Sequence, residues 1–233
     1  MIQTDIPKKI TPDPIVDSVV EFRFSSQHPK DRLTTLLLNH FSVEFPSFRD
    51  FAPQIGFPLE FTTKVSLHND NFNVNIGPNV ISFGCMNSYK GWSPFSAIVT
   101  ETMHNLSKQG LINEIERVGL RYINFFKNIM LISQNTNLDI SFSGRENYTT
   151  RSTSLRTQLQ KDPFIFNVII ADNVVHNNVP GSILDIDVAT EHGLKIKFSD
   201  QIIRILEQAH SEEKMIFYSL LKNDFVKKFN PEY

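Results

Sequence analysis

A single cysteine, Cys85, stands in the 233 residues of the chain, which excludes a disulfide scaffold and any cysteine-rich zinc module. Glycine (9) and proline (12) are too sparse for collagen-like or low-complexity material. Long hydrophobic runs are also missing. The longest, Phe164 to Ala171, is broken by Asn167, far short of the roughly 20 apolar residues that span a bilayer as a helix. Neither sign of charge dominates: 23 basic and 25 acidic residues leave a net charge of -2, whereas a dedicated nucleic-acid binder usually carries a basic excess. Residues 1–14 hold Asp5, Lys8, Lys9 and three prolines but no apolar stretch, so no secretory signal is expected. With the lone thiol, this points to the cytoplasm.

The chain does have an apolar fraction of 40%, including 20 phenylalanines, spread along its length. That is more than a disordered chain carries, and a chain this long buries roughly 70% of its unfolded surface without a metal or disulfide staple. Ile15 to Phe24 alternates with period 2 and predicts a strand. Pro29 and Asp31 open a helix with Leu33, Leu36, Leu37, His40 and Phe41 on its apolar stripe. The proline- and phenylalanine-rich stretch 45–58 reads as a structured loop. Strands are predicted at 59–67, 71–76 and 80–86, separated by His68-Asn69-Asp70-Asn71 and Gly77-Pro78-Asn79 turns; a meander of this kind is antiparallel. Gly91-Trp92-Ser93-Pro94 starts a second helix, with Ser93 as N-cap, Pro94 at the first helical position and Gly110 as the stop.

Further strands are predicted at 116–126, 138–143, 154–160, 164–171 (a fuller apolar run, expected to be central) and 182–189, with a polar loop at 172–181. A long helix from Asp200 to about Leu221 follows, with a short helix after Asn223-Asp224. Helices segregated from runs of strands define an α+β protein: antiparallel sheet with helices packed on one face. We expect one compact unit over 1–233 with two pseudo-halves, 10–132 and 136–233, the second ending in the long helix.

Four segments carry a resemblance: Pro14-Ile15-Val16-Asp17-Ser18-Val19-Val20-Glu21-Phe22-Arg23-Phe24; Gly91-Trp92-Ser93-Pro94-Phe95; Arg117-Val118-Gly119-Leu120-Arg121-Tyr122-Ile123-Asn124; and Ala209-His210 followed by Phe217, Leu220 and Phe229-Asn230-Pro231. In this order and spacing the chain resembles a sporadically distributed prokaryotic family of about this length, the third segment being the most specific. The resemblance implies a stand-alone, non-essential bacterial or archaeal protein linked to mobile or defence loci. It implies no activity and hands over no catalytic residue.

Candidate chemistry therefore rests on single residues. Arg117 and Arg121 lie on one face of a predicted strand with Gly119 between them; two guanidiniums so placed grip a carboxylate or phosphate, or pair with internal acids. Arg121 shares its face with Ile123, so it is expected to be largely buried and paired. His210 falls on the apolar stripe of the terminal helix, as a proton carrier or as a hydrogen-bonded core residue. Trp92 joins these as a candidate contact. Asp185 and Asp187, with Glu191 and His192 nearby, suit either a divalent ion or the wet face of a sheet. No metalloprotease, P-loop, nucleophile-elbow or dinucleotide pattern occurs, so no catalytic residue, metal or cofactor is assigned. The favoured function is a non-enzymatic binding or interaction protein with a protein or small-molecule partner. A homodimer is open, no membrane is involved and nucleic acid is disfavoured. The alternative is an enzyme whose cleft includes Arg121, Trp92 and His210.

Overall fold

In the computed structural model, residues 6–50, 63–140, 150–191 and 193–233 are described, Arg49 and Asp50 by backbone alone. The elements in chain order are β1 (Ile15–Ser25), α1 (Lys30–Phe41), β2 (Ser47–Asp50), β3 (Val65–His68), β4 (Phe72–Ile76), β5 (Val80–Cys85), α2 (Trp92–Lys108), β6 (Glu114–Lys127), α3 (Leu131–Gln134), β7 (Ser154–Lys161), β8 (Phe164–His176), β9 (Val179–Thr190), α4 (Asp200–Leu220) and α5 (Asn223–Val226), the last running into a 3-10 turn at Lys227–Phe229. The described strands form one sheet in the order β2-β3-β4-β5-β1-β6-β9-β8-β7. Every neighbouring pair is antiparallel. This is the expected α+β architecture.

Alternation along the strands gives the sheet two unlike faces. Val74, Phe83, Val20, Leu120, Val188 and Phe166 lie across from one another in a row of successive strands, and all are buried. The helices pack on this side. Phe41 of α1 meets Phe83 edge-on, Phe95 of α2 stacks on Phe72, and Phe217 of α4 stacks on Phe126. The opposite face carries Glu21, Arg23, Arg117, Arg121, Asp187 and Asn167, with Asn73 and Asn75 farther along.

Several local expectations are corrected. Residues 172–181 are not a loop: β8 continues to His176 and turns through Asn177 and Asn178, both at positive φ (49° and 62°). Asparagine tolerates this left-handed backbone, and such a two-residue turn matches the twist of a hairpin. A bulge between Ala171 and Val174 turns Asp172 inward, where its Oδ1 accepts from the backbone N–H of Leu131 (2.8 Å) and from Ser182 Oγ (2.6 Å). The predicted strand at 138–143 is not formed over 138–140, and 141–143 lie outside the described residues. Asn137 Nδ2 donates instead to the carbonyls of Ser219 and Leu221, drawing that segment to the end of α4. Stretch 45–58 contains strand β2, with 51–58 outside the described residues, and 59–62 of the next predicted strand fall there too. β8 lies second from an edge; β1 is the middle strand. The second helix starts one residue before Ser93, with Gly91 in the N-cap place.

α4 carries Ile202, Leu206, Ala209 and Phe217 into the core. Leu206→Ala is expected to cost about 2–5 kcal/mol of folding stability, read as a lower urea midpoint at unchanged slope.

Candidate functional site

Gly91 has φ +92°, a backbone region that a side chain makes costly. The turn it permits sets Trp92 at the start of α2, facing α4. Trp92 Nε1 donates to Glu207 Oε2 (2.8 Å), and its indole lies flat against the His210 ring, centroids 4.2 Å apart and planes 12° from parallel. On α4, His210, Glu213 and Phe217 stand three and four residues apart and so share one helix face. That face meets β6, whose Tyr122 and Asn124 point to the helix side. Residues 8–14 run alongside, held by Glu232 N–H donating to the Lys9 carbonyl (2.9 Å). Between these walls lies a cavity of about 620 Å³ lined by, among others, Tyr89, Trp92, Tyr122, His210, Glu213 and Lys214.

A hydrogen-bonded chain enters it. The hydroxyls of Tyr89 and Tyr122 are 2.9 Å apart, and Tyr122 Oη is 3.5 Å from His210 Nδ1. Burial pushes both tyrosine hydroxyls up from their ordinary range. Burial, with Lys214 adding to it, lowers His210 to about 4. The imidazole is therefore neutral at pH 7, which suits an Nδ1 that accepts from Tyr122. Glu213 is 4% exposed, and burial raises its carboxyl to about 8 against a small opposing pull from Lys214. No hydrogen bond reaches this carboxyl from the described residues. Lys214 Nζ donates instead to the Lys8 carbonyl (3.2 Å).

Of the residues singled out in the sequence, Trp92 and His210 come together here. Arg117 and Arg121 do not: they lie on the opposite sheet face. Arg117 Nη1 donates to Glu21 Oε1 (3.0 Å), which also accepts from Arg23 Nε (2.9 Å). The guanidinium lies close over Gly119, 3.4 Å from where a Cβ would stand. Arg121 forms a bidentate pair with Asp185, Nε to Oδ1 at 2.8 Å and Nη2 to Oδ2 at 2.6 Å. Its side chain is 46% exposed, so the expectation of a largely buried Arg121 is corrected: the strand's second face is only partly covered. The buried member is Asp185. Burial raises the carboxyl of Asp187 despite the nearby Arg117 and Arg121, and Asn167 Nδ2 donates to it (3.4 Å). Among the described residues no cluster of His, Cys, Asp and Glu suits a metal ion; His192 lies outside them.

Sequence reasoning missed Glu213, Tyr89, Tyr122 and the lysines of residues 8–14 as site residues. The spacing Leu206, His210, Glu213, Phe217 puts a carboxyl on an apolar helix stripe, and that was the available signal. No family model matches the chain, and no curated protein matches it at a significant level.

Two tests follow from these geometries. Unfolded, Glu213 ionises near 4.5; folded, near 8. Its contribution to stability is complete below pH 4.5, is lost as pH rises to about 8, and is flat above that. His210 runs the other way, contributing fully above pH 6.5 and losing it as pH falls toward 4. Wild type minus Glu213→Gln, by urea denaturation from pH 6.5 to 8, is therefore expected to show wild-type stability falling relative to the variant, by at most about 1.4 kcal/mol per pH unit. Separately, Arg121→Met strands the buried Asp185 and is expected to cost about 1–3 kcal/mol. Arg121→Met/Asp185→Leu is expected to recover most of that in the same measurement.

Proposed function

We propose that the chain is a binding protein for a small organic molecule, seated in the cavity between residues 8–14, the start of α2, β6 and α4, and that it does no chemistry on that molecule. The observation that carries this is Glu213. A buried carboxyl without a hydrogen-bond donor or acceptor opposite it is costly, and here it faces open space in a cavity of the size small molecules fill. A ligand group that hydrogen-bonds to it removes that cost.

The state of the other lining groups favours binding over turnover. His210 is deprotonated and engaged by Tyr122, and the tyrosines keep their protons. Arg121 lies on the opposite sheet face, apart from Trp92 and His210, which weakens the enzyme reading. What favours that reading is the Tyr89–Tyr122–His210 chain, a path along which a proton can pass. A protein partner has less support: of the exposed large apolar residues, Val16, Phe48, Leu159 and Met215 lie on β1, β2, β7 and α4. A cytoplasmic setting fits the free thiol of Cys85.

Trp92 is the chain's one tryptophan and stands in the cavity wall, so its emission reports occupancy. The test is a screen of neutral, cationic and anionic compounds by thermal shift and by Trp92 fluorescence. At least one compound is expected to raise Tm and change the emission together, and to be recovered chemically unaltered. Ligand at 100 times its Kd stabilises by about 2.7 kcal/mol, readily seen in Tm. A complete screen in which no compound does both overturns the proposal, and a compound that is consumed supports the enzyme reading.

A further inference from the structure

We infer that the ligand of this cavity is a nucleoside phosphate whose base offers one donor beside one acceptor, as adenine and cytosine do, with the base against Glu213 and the phosphate among lysines at the mouth. This rests on the cavity reading above and names the ligand class.

The charge comes from the rim. Lys8, Lys9, Lys90 and Lys214 line the cavity against two carboxyls, Asp13 and Glu213. Lys8, Lys9, Lys90 and Asp13 are exposed and Lys214 half-buried, with Lys8 Nζ donating to the Tyr233 carbonyl oxygen and Lys214 Nζ to that of Lys8, so the cationic groups gather toward solvent while Glu213 sits at depth. An ammonium cluster at an open mouth attracts an anion of high charge density. The flat ring comes from the walls, where Tyr89, Trp92, Phe217 and Tyr218 supply aromatic surface. Aromatic side chains receive a nucleobase by stacking, worth roughly 1–3 kcal/mol per base in single-strand binders.

The edge comes from Glu213. Its carboxyl is buried, lines the cavity and is met by no hydrogen bond from the described residues. In the protonated form favoured by burial, a carboxyl presents one O–H donor and one carbonyl acceptor. Adenine and cytosine each present a ring nitrogen acceptor beside an exocyclic amino donor, the matching pair. Guanine presents two adjacent donors, which match an ionised carboxylate. His210 adds a second polar group: in the tautomer whose Nδ1 accepts from Tyr122, the neutral ring carries its proton on Nε2.

The test is calorimetry and Trp92 emission on the whole chain with AMP, CMP, GMP, adenosine and inorganic phosphate as probes. AMP or CMP is expected to bind and change Trp92 emission, with AMP about tenfold or more tighter than adenosine, since a charge-assisted phosphate contact is lost in the nucleoside. GMP is expected to bind more weakly than AMP. Glu213→Met is expected to lose about tenfold in affinity, and Glu213→Gln, which keeps one donor and one acceptor, to restore most of it. Circular dichroism on both variants separates lost binding from lost folding. GMP binding tighter than AMP and CMP, or inorganic phosphate competing as well as AMP (an adventitious ion only), overturns the assignment. Nucleotides that leave Trp92 unmoved while another compound in the screen moves it overturn the ligand class and leave the cavity reading standing. Silence from every compound overturns both.

Discussion

An antiparallel sheet covered on one side gives each side chain one of two environments, and the register of β1, β6 and β9 decides which. Val20 opposite Leu120, and Leu120 opposite Val188, send one parity of all three strands under the helices. On β6 that parity carries Val118, Leu120, Tyr122 and Asn124. The other carries Arg117, Gly119 and Arg121, opposite Arg23, Glu21 and Val19. A slip of one residue between β1 and β6 would exchange the two sets. It would drive two guanidiniums into an apolar core and turn Leu120 and Tyr122 to the polar side, so the register is enforced from both faces at once. The cavity depends on this, because Tyr122 and Asn124 reach it only from the helix side.

The second constraint holds two helices in place over that face. α2 covers the side of the sheet near β4, and α4 covers β6 and β9. Trp92 joins them, stacking on His210 and donating to Glu207, both on α4. Gly91 makes this possible by taking a φ that other residues avoid. The cavity is the space left beside this bridge, closed on one flank by residues 8–14, which lie against the chain's last turn through the Lys9–Glu232 pair.

Much of this was legible in the chain, and the failures have physical causes. Strand parity at 15–24 and 116–126 was readable because one face is dry and the other polar, giving clean alternation. The long helix was readable because Ile202, Leu206, Ala209 and Phe217 recur at helical spacing. The hairpin at 177–178 was not, because a polar run of Asp, Asn and His looks like a loop. Only pairing with β9 shows that Val174 and Val175 continue the strand past a bulge. Strand propensity at 138–140 lost to tertiary contacts, chiefly Asn137 with the end of α4. At the site, Trp92 and His210 stood out as isolated residue types. That they meet, and that Arg121 turns away from them, is a matter of long-range register and helix placement that no local pattern carries. Glu213 was visible in principle, as a charge on an apolar stripe, yet a surface glutamate is so common on helices that spacing alone gives it little weight.

Glu213 stands apart from the other buried acids, and the difference separates structure from site. On the polar face buried Asp185 is held by Arg121, half-buried Glu21 by Arg23 and Arg117, and half-buried Asp187 by Asn167; on the helix side Asp172 accepts from Leu131 N–H and Ser182 Oγ, and Glu212 pairs with Lys161. Those groups are satisfied by the chain itself, which is what a structural role requires. Under the helices, Glu213 has less solvent contact than Glu21 and yet no hydrogen bond from the described residues. A core built only for stability would place leucine or methionine there and lose nothing. Sequences depart from local consistency mainly at sites of function, and here the departure sits where an open cavity, aromatic walls and a cationic rim converge. His210 shares that setting with a hydrogen-bond partner, Tyr122, and Glu213 has none among the described residues. A ligand in the cavity is placed to supply the partner that the described residues do not give Glu213.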